Sequence, residues 1–490
     1  MIMVCPKANM KKTRIICAMI LTSILLGMTA CGDTPVGVTD TVASGNTQTE
    51  TEAVVGFVEK DFGGRAFNII SRGSEYGAWE SFDVYTAETN GDPLNDAVYE
   101  RNAMIFDKYG IDIVETKLGN LGQEIKKMVS AGDALYDAAV ITGSDASVLS
   151  SENFMLDLNS LPELDLTNEW WDQNAVRDFG FGDKLFYCVS DFLISDKDGS
   201  WVYLFNKRIA NELELEYPYQ MVKDGTWTYE KMHSMAQIAS ADLNGDGKMS
   251  VKDDRYGIIT EKYDSYAAFF YSGARIFDIG TDGYPEYVLY NNRNVEAYNK
   301  YLDLFVRDAS IYRLGGSTER QAYLDGRALF LGNTLMGIRD TEIRDLEDDF
   351  GIIPAPKYDE NQENYGLIVS IGSSGSVLSV PLTAPDPAFS GYALDACSKE
   401  STDTLLDTYI NKGFNGKYIR DEESSEMLKI CFNSRVYDIS IIYTQWGDLF
   451  SKLYGLNPQT KLDLASLNAS VEASITESLN ALLDLYKNLE

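Results

Sequence analysis

An α/β fold in two lobes, each a largely parallel sheet flanked by helices, is what three observations predict. The chain has 490 residues, more than one ordinary core accommodates. Strand-like apolar runs alternate with helix-like periods through residues 67–141, the order expected of a parallel sheet with crossover helices. From about Leu185 the same texture begins again.

Taken in order, Phe67-Asn68-Ile69-Ile70 reads as the first strand. A helix starts at Asp92-Pro93, cap and first position, turns Leu94, Val98, Ile105 and Phe106 inward, and stops at Gly110. Ile111–Val114 is the next strand, a helix passes through Leu121, Ile125 and Met128, and "YDAAVI" (136–141) is a buried strand. Further on, "LFYCVSDFLI" and "WVYLFNK" are strand-like, and Thr226 or Thr228 caps a helix through Met232, Met235 and Ile238. Residues 295–308 are amphipathic, with Val295, Tyr298, Leu302 and Phe305 on one stripe. Residues 328–331 and 350–353 are short strands, "GSSGS" (372–376) is a turn leading into a strand, and residues 464–482 repeat apolar positions every three or four.

The N-terminus has a different purpose. Lys7, Lys11, Lys12 and Arg14 precede the apolar run "IICAMILTSILLGMTA", which is too short to span a bilayer and ends at Cys31. This is a secretory signal, and it resembles a bacterial lipoprotein signal in which Cys31 carries the lipid, with Met28 in place of the commoner leucine. Residues 1–30 are therefore the signal peptide and 31–60 a Thr/Gly/Ser-rich flexible tether. The expected consequence is a protein lipid-anchored on the outer face of the cell membrane. Formal charge is −33, and about −37 once the four basic residues of the signal are removed, which argues against nucleic acid as a partner. Of six cysteines, only Cys188, Cys397 and Cys431 remain in the body, each in apolar company and without a CxxC; they read as buried free thiols.

Catalytic readings are restricted. His233 is the one histidine, so a two-histidine metal site is ruled out within one chain, and no nucleophile-elbow motif accompanies it. A glycosidase needs only two carboxylates, and among 75 Asp and Glu such a pair stays open as the enzymatic alternative. The chain is otherwise read as a non-enzyme.

"DLNGDGKMSVKDD" (242–254) has the spacing of an EF-hand-type calcium loop. Asp242, Asn244 and Asp246 offer side-chain oxygens, Lys248 its carbonyl, Ser250 a hydroxyl or bridging water, and Asp253 the closing carboxylate, with Asp254 its rival. A single loop brings no paired hand, so the expected role of Ca²⁺ is bracing rather than sensing. Six tryptophans and 30 tyrosines form a further supply of flat apolar faces, the kind of surface on which sugar rings stack.

Five stretches carry a resemblance: "NGDPLNDAVYERN" (90–102), "WVYLFNKRIANELEL" with "GTWTYEKM" (201–232), "DLNGDGKMSVKDDRYGI" (242–258), "DGRALFLGN" (325–333) and "DFGIIPAPKYDENQENY" (349–365). With the lipoprotein signal, they make the chain similar to extracellular solute-binding lipoproteins of carbohydrate ABC importers, akin to maltose-binding protein. The resemblance implies the type II periplasmic-binding-protein fold, with crossing segments between the lobes and ligand in the hinge cleft. It implies a monomer that delivers a sugar or oligosaccharide to permease subunits; a peptide or other small solute is the alternative within the same fold. The lobes are expected at 61–187 plus about 372–430, and 188–371 plus about 431–490. The family carries no catalytic residue and no fixed binding motif. Ligand candidates therefore come from chain position: Gly143, Ser144 and Asp145 after a buried strand, Tyr271 and Arg275 in "FFYSGARIF", and Asn333 after "ALFLG". Trp446 past the last crossing and Trp79 are stacking candidates, and Arg275 or Arg435 would clamp hydroxyls or a sugar acid.

Overall fold

The helix starting at Pro93 shows how closely local chemistry sets the elements. Asp92 accepts hydrogen bonds from the N–H groups of Leu94 and Asn95, Pro93 fills the first turn, and Gly110 ends the helix at Tyr109 with φ of 59°. The computed structural model describes residues 57–314, 320–339, 341–413, 421–444 and 446–488. The signal peptide, Cys31 and the tether as far as residue 56 lie outside the described residues. Glu59–Glu490 is one compact unit, within which two sheets organise two lobes.

The first sheet uses β1 (Arg65–Arg72), β2 (Ile111–Leu118) and β3 (Ala138–Thr142). The second uses β4 (Trp201–Asn206) and β5 (Tyr256–Glu261). A small hairpin follows, β6 (Phe277–Ile279) with β7 (Pro285–Tyr287). Then come β8 (Ile311–Leu314), β9 (Ala328–Thr334), β10 (Phe350–Ile353), β11 (Leu367–Ile368), β12 (Ser376–Ser379) and β13 (Arg435–Val436).

Strand order in the first sheet is β12-β3-β1-β2, parallel except for β12, which returns antiparallel to β3 after the chain has built the second sheet. The second sheet has order β10-β4-β9-β5-β8. Its pairs β5–β8 and β5–β9 are parallel, whereas β4–β9 and β10–β4 are antiparallel, so it is evenly mixed rather than mostly parallel. Every residue of β3 and β4 is buried, which explains their unbroken apolar runs.

Segments crossing between the lobes run side by side. β11 pairs in parallel with β13, and Ser200 bridges to Val369. The run "LFYCVSDFLI", read as a strand, makes only isolated bridges (Cys188 to Leu378, Ser190 to Trp171) before a short turn at Ser195–Asp198. It is apolar because it is buried at the hinge, not because it carries a full ladder. The helix Leu464–Asn488 closes the chain; Tyr486 on it meets Ser150 of the first lobe, and Asn468 meets Tyr287 of the second. Cys188, Cys397 and Cys431 are buried and unbridged. Among the described residues, no helix is long and apolar enough to cross a membrane.

Candidate functional site

Four consecutive polar residues, Ser195, Asp196, Lys197 and Asp198, are all buried in the first crossing segment. Buried charge is tolerated only when paired, and these pairs define the hinge. Arg435 Nη1 donates to Asp196 at 2.8 Å, and its Nη2 lies 2.6 Å from Asp172. Burial opposes its charge, yet Asp172 and Asp196 hold the guanidinium above its ordinary pKa. Lys197 donates to the carbonyls of Ser190 and Leu193. Asp198 takes a charged hydrogen bond from Arg339 and a second, at 2.8 Å, from the Tyr409 hydroxyl. Burial pushes the Asp198 carboxyl up, and those two donors oppose the shift.

On the cleft side of this hinge lies a groove of about 460 Å³, lined by Ala78, Phe82, Asp198, Thr334, Met336, Gly337 and Arg339. Ala78 and Phe82 come from the loop after β1 in the first lobe; Thr334 to Arg339 follow β9 in the second. Both walls are thus at carboxyl ends of strands, where open α/β sheets hold ligands. The first wall is fixed from behind. Asp83 accepts from the N–H groups of Ile194 and Ser195 at 2.9 and 3.0 Å, and buried Arg101 donates to the carbonyls of Val84 and Phe192. In the second wall, Thr334 caps the short helix Leu335–Ile338 by accepting from Gly337 N–H. Phe82, Ala78 and Met336 offer apolar surface, while Asp198, Thr334 and Arg339 offer hydrogen bonds. Two larger concavities, of about 640 and 620 Å³, lie on the second lobe alone, rimmed by exposed charged and polar side chains such as Asp325, Glu347, Asp224 and Glu360, and one of about 470 Å³ lies at the hinge against Trp171, Asp172, Lys197 and Arg435.

The nominated ligand residues scatter. Trp79 is half-buried beside Ala78 and Phe82, and Asn333 adjoins Thr334, with its side-chain oxygen accepting from Thr334 N–H. Gly143 and Ser144 start a helix against the second crossing segment: their N–H groups donate to the carbonyls of Ile371 and Gly372, and the Ser144 hydroxyl to that of Ile442. Asp145 is tied to Thr142. Tyr271 is only 2% exposed, inside the second lobe near Asp264, so it faces the core rather than a cleft. Arg275 lies 3.6 Å from Asp178, and Trp446 stacks on Tyr443 at 4.3 Å. Arg435 is a hinge residue, its guanidinium spent on two carboxylates. Neither Phe82 nor Arg339 was nominated, although each lies a few residues past a candidate: Phe82 after the stacking candidate Trp79, Arg339 after the strand-end candidate Asn333.

In the loop at 242–254, Asp242 accepts from Gly245 and Gly247 N–H, Asn244 from Asp246 N–H, and Asp246 from Lys248 N–H. Asp253 is exposed, whereas Asp254 is buried and accepts from Leu243 and Ser250 N–H at 2.9 and 2.7 Å. Lys248 and Ser250 fall between these anchors. Asp242, Asn244 and Asp246 are exposed like Asp253, and with Asp254 they hold the loop's own backbone. Among the described residues, no three Asp, Glu, His or Cys side chains converge as a metal cage.

A scan against family models finds no match, and neither does a search of curated proteins. Solved structures do match. The galacto-N-biose/lacto-N-biose I-binding protein of the ABC transporter from Bifidobacterium longum, in complex with lacto-N-biose, superposes with TM-score 0.54 at 12% identity, covering 87% of this chain and 99% of that one. The maltose/maltodextrin-binding domain from Bdellovibrio bacteriovorus, bound to maltotriose, gives 0.51 at 13%, covering 85% and 100%. An ABC substrate-binding protein from Listeria monocytogenes in complex with cycloalternan gives 0.50 at 13%, covering 86% and 100%. The chain therefore has the two-lobed fold of these solute-binding proteins.

Proposed function

We propose that this chain is the substrate-binding component of an ABC importer, holding a sugar or short oligosaccharide in the groove between Phe82 and the Thr334–Arg339 turn. The observation that carries the reading is the make-up of that groove. Apolar surface from Ala78, Phe82 and Met336 lies among the polar groups of Asp198, Thr334 and Arg339, and both lobes contribute. A sugar likewise combines apolar C–H faces with hydroxyls. The fold shared with proteins whose solved structures hold lacto-N-biose, maltotriose and cycloalternan supports it further. Binding that engages both walls favours the closed arrangement, which then presents a surface to permease subunits. Lipid on Cys31 holds the protein, as a monomer, at the outer face of the membrane.

The test is calorimetry with a panel of neutral oligosaccharides, sugar acids and short peptides, followed by recovery of the ligand. Saturable 1:1 heat with a sugar recovered unchanged supports the reading. Binding confined to peptides, or cleavage of the sugar, overturns it.

We propose also that Ca²⁺ braces the 242–254 loop, with Asp242, Asn244 and Asp246 as first ligands. Their spacing and their orientation by turns support this. Asp253 supplies the closing carboxylate in this reading, because Asp254 already accepts from backbone N–H groups.

A further inference from the structure

Arg339 is the one groove residue that touches the crossing segment and the opposite lobe at once. It follows the short helix after β9 and so belongs to the second lobe. Its guanidinium carbon stands 4.8 Å from the centre of the Phe82 ring, which belongs to the first. Its Nη1 donates to Oδ2 of Asp198, while Oδ1 of the same carboxylate accepts from Tyr409. Tyr409 lies on the helix that starts at Pro387 and packs against the first lobe's Pro93–Tyr109 helix. Two π-helical stretches, Thr402–Leu406 and Tyr409–Gly413, continue that helix and bring Tyr409 to the hinge.

We infer that Arg339 is a latch that holds the two lobes together, closing on Asp198 and the Phe82 face while Tyr409 steadies Asp198 from the first lobe. The two ends of the contact are unequal, as a latch requires. Asp198 is 1% exposed, and Tyr409 keeps one hydrogen bond on it when Arg339 leaves. Arg339 is 24% exposed just past a one-turn helix, so its guanidinium reaches water when the lobes part. The released state therefore leaves no stranded cation and a partly satisfied carboxylate, which keeps the two states within reach of each other. The planar guanidinium contributes both stacking on Phe82 and a directed charged bond, and lysine reproduces only the charge. Because Arg339 also lines the groove, the latch sets how much closure the ligand must itself drive: apparent affinity scales with the fraction of closed protein.

The inference rests on the proposed reading for its purpose, ligand capture, and its test needs no ligand. Spin labels at Lys127→Cys in the first lobe and Ile238→Cys in the second report the interlobe distance in the ligand-free protein by pulsed dipolar spectroscopy. The native body cysteines are buried and do not compete. Arg339→Met is expected to raise the long-distance population at least fivefold, Tyr409→Phe to raise it less, and Arg339→Lys to fall between Met and wild type. If Arg339→Met does not fold, Tyr409→Phe and Arg339→Lys carry the test. Distance distributions unchanged from wild type in the folded variants overturn the latch, whatever the sugar panel shows. A blank sugar panel beside shifted distances overturns the ligand reading and leaves the latch standing.

Discussion

Arg435 and Asp196 are 239 residues apart in sequence and meet at 2.8 Å inside the hinge, joining two crossing segments through a buried ion pair. Asp172 supplies a second carboxylate from the first lobe, so one guanidinium ties three parts of the chain. Removing one partner of such a pair leaves uncompensated buried charge. Arg435→Met is therefore expected to lower the unfolding free energy by about 3–5 kcal/mol in urea melts. A ligand clamp behaves otherwise: its loss weakens binding and leaves the melt unchanged.

The calcium loop separates two acidic residues by role. Asp254 binds the loop's own N–H groups, so Asp254→Ala is expected to lower the melting temperature equally with Ca²⁺ and with chelator. Asp242→Ala is expected to lower it only when Ca²⁺ is present. A wild-type melt that is identical with Ca²⁺ and with chelator removes the metal from the account.

Glu115, on β2 beside Ser71, gives a pH dependence with a definite sign. Burial is the largest influence and lifts its carboxyl to about 7, against a hydrogen bond from Ser71 at 2.6 Å that favours ionisation. The folded state then holds a proton that the unfolded chain releases near pH 4.3, so stability falls as pH rises from there to about 7. Glu115→Gln is expected to leave stability unchanged at pH 4 and to raise it at pH 8, on the order of 1–2 kcal/mol after solvent screening. Equal melts for the two proteins at pH 8 contradict the raised value.

Local chemistry made much of this fold legible. Asp92, Pro93 and Gly110 announce a helix because caps and backbone preferences act within a few residues, and the 464–488 helix shows in its own apolar period. The hinge was not legible for the opposite reason. "SDKDGS" looks like a solvated loop, and only partners far away in sequence (Arg435, Arg339, Tyr409) show that its charges are buried. Tyr271 illustrates the same limit, since its neighbours in sequence do not say that its ring is buried within the core. The interlobe groove was half legible: the expectation that strand ends carry the site led to Asn333, and the search for stacking aromatics led to Trp79, each beside a lining residue. Phe82 and Arg339 line it instead.

In the proposed function a sugar lies against Phe82 in the interlobe groove and leaves it unaltered. Parallel calorimetric titrations of wild type and Phe82→Ala, each followed by chromatography of the recovered ligand, test it most directly. Expected are 1:1 binding by wild type, at least tenfold weaker binding by Phe82→Ala (a loss of about 1.4 kcal/mol or more), and intact sugar from both. Equal affinity in the two proteins, or shortened sugar in the recovered pool, contradicts it.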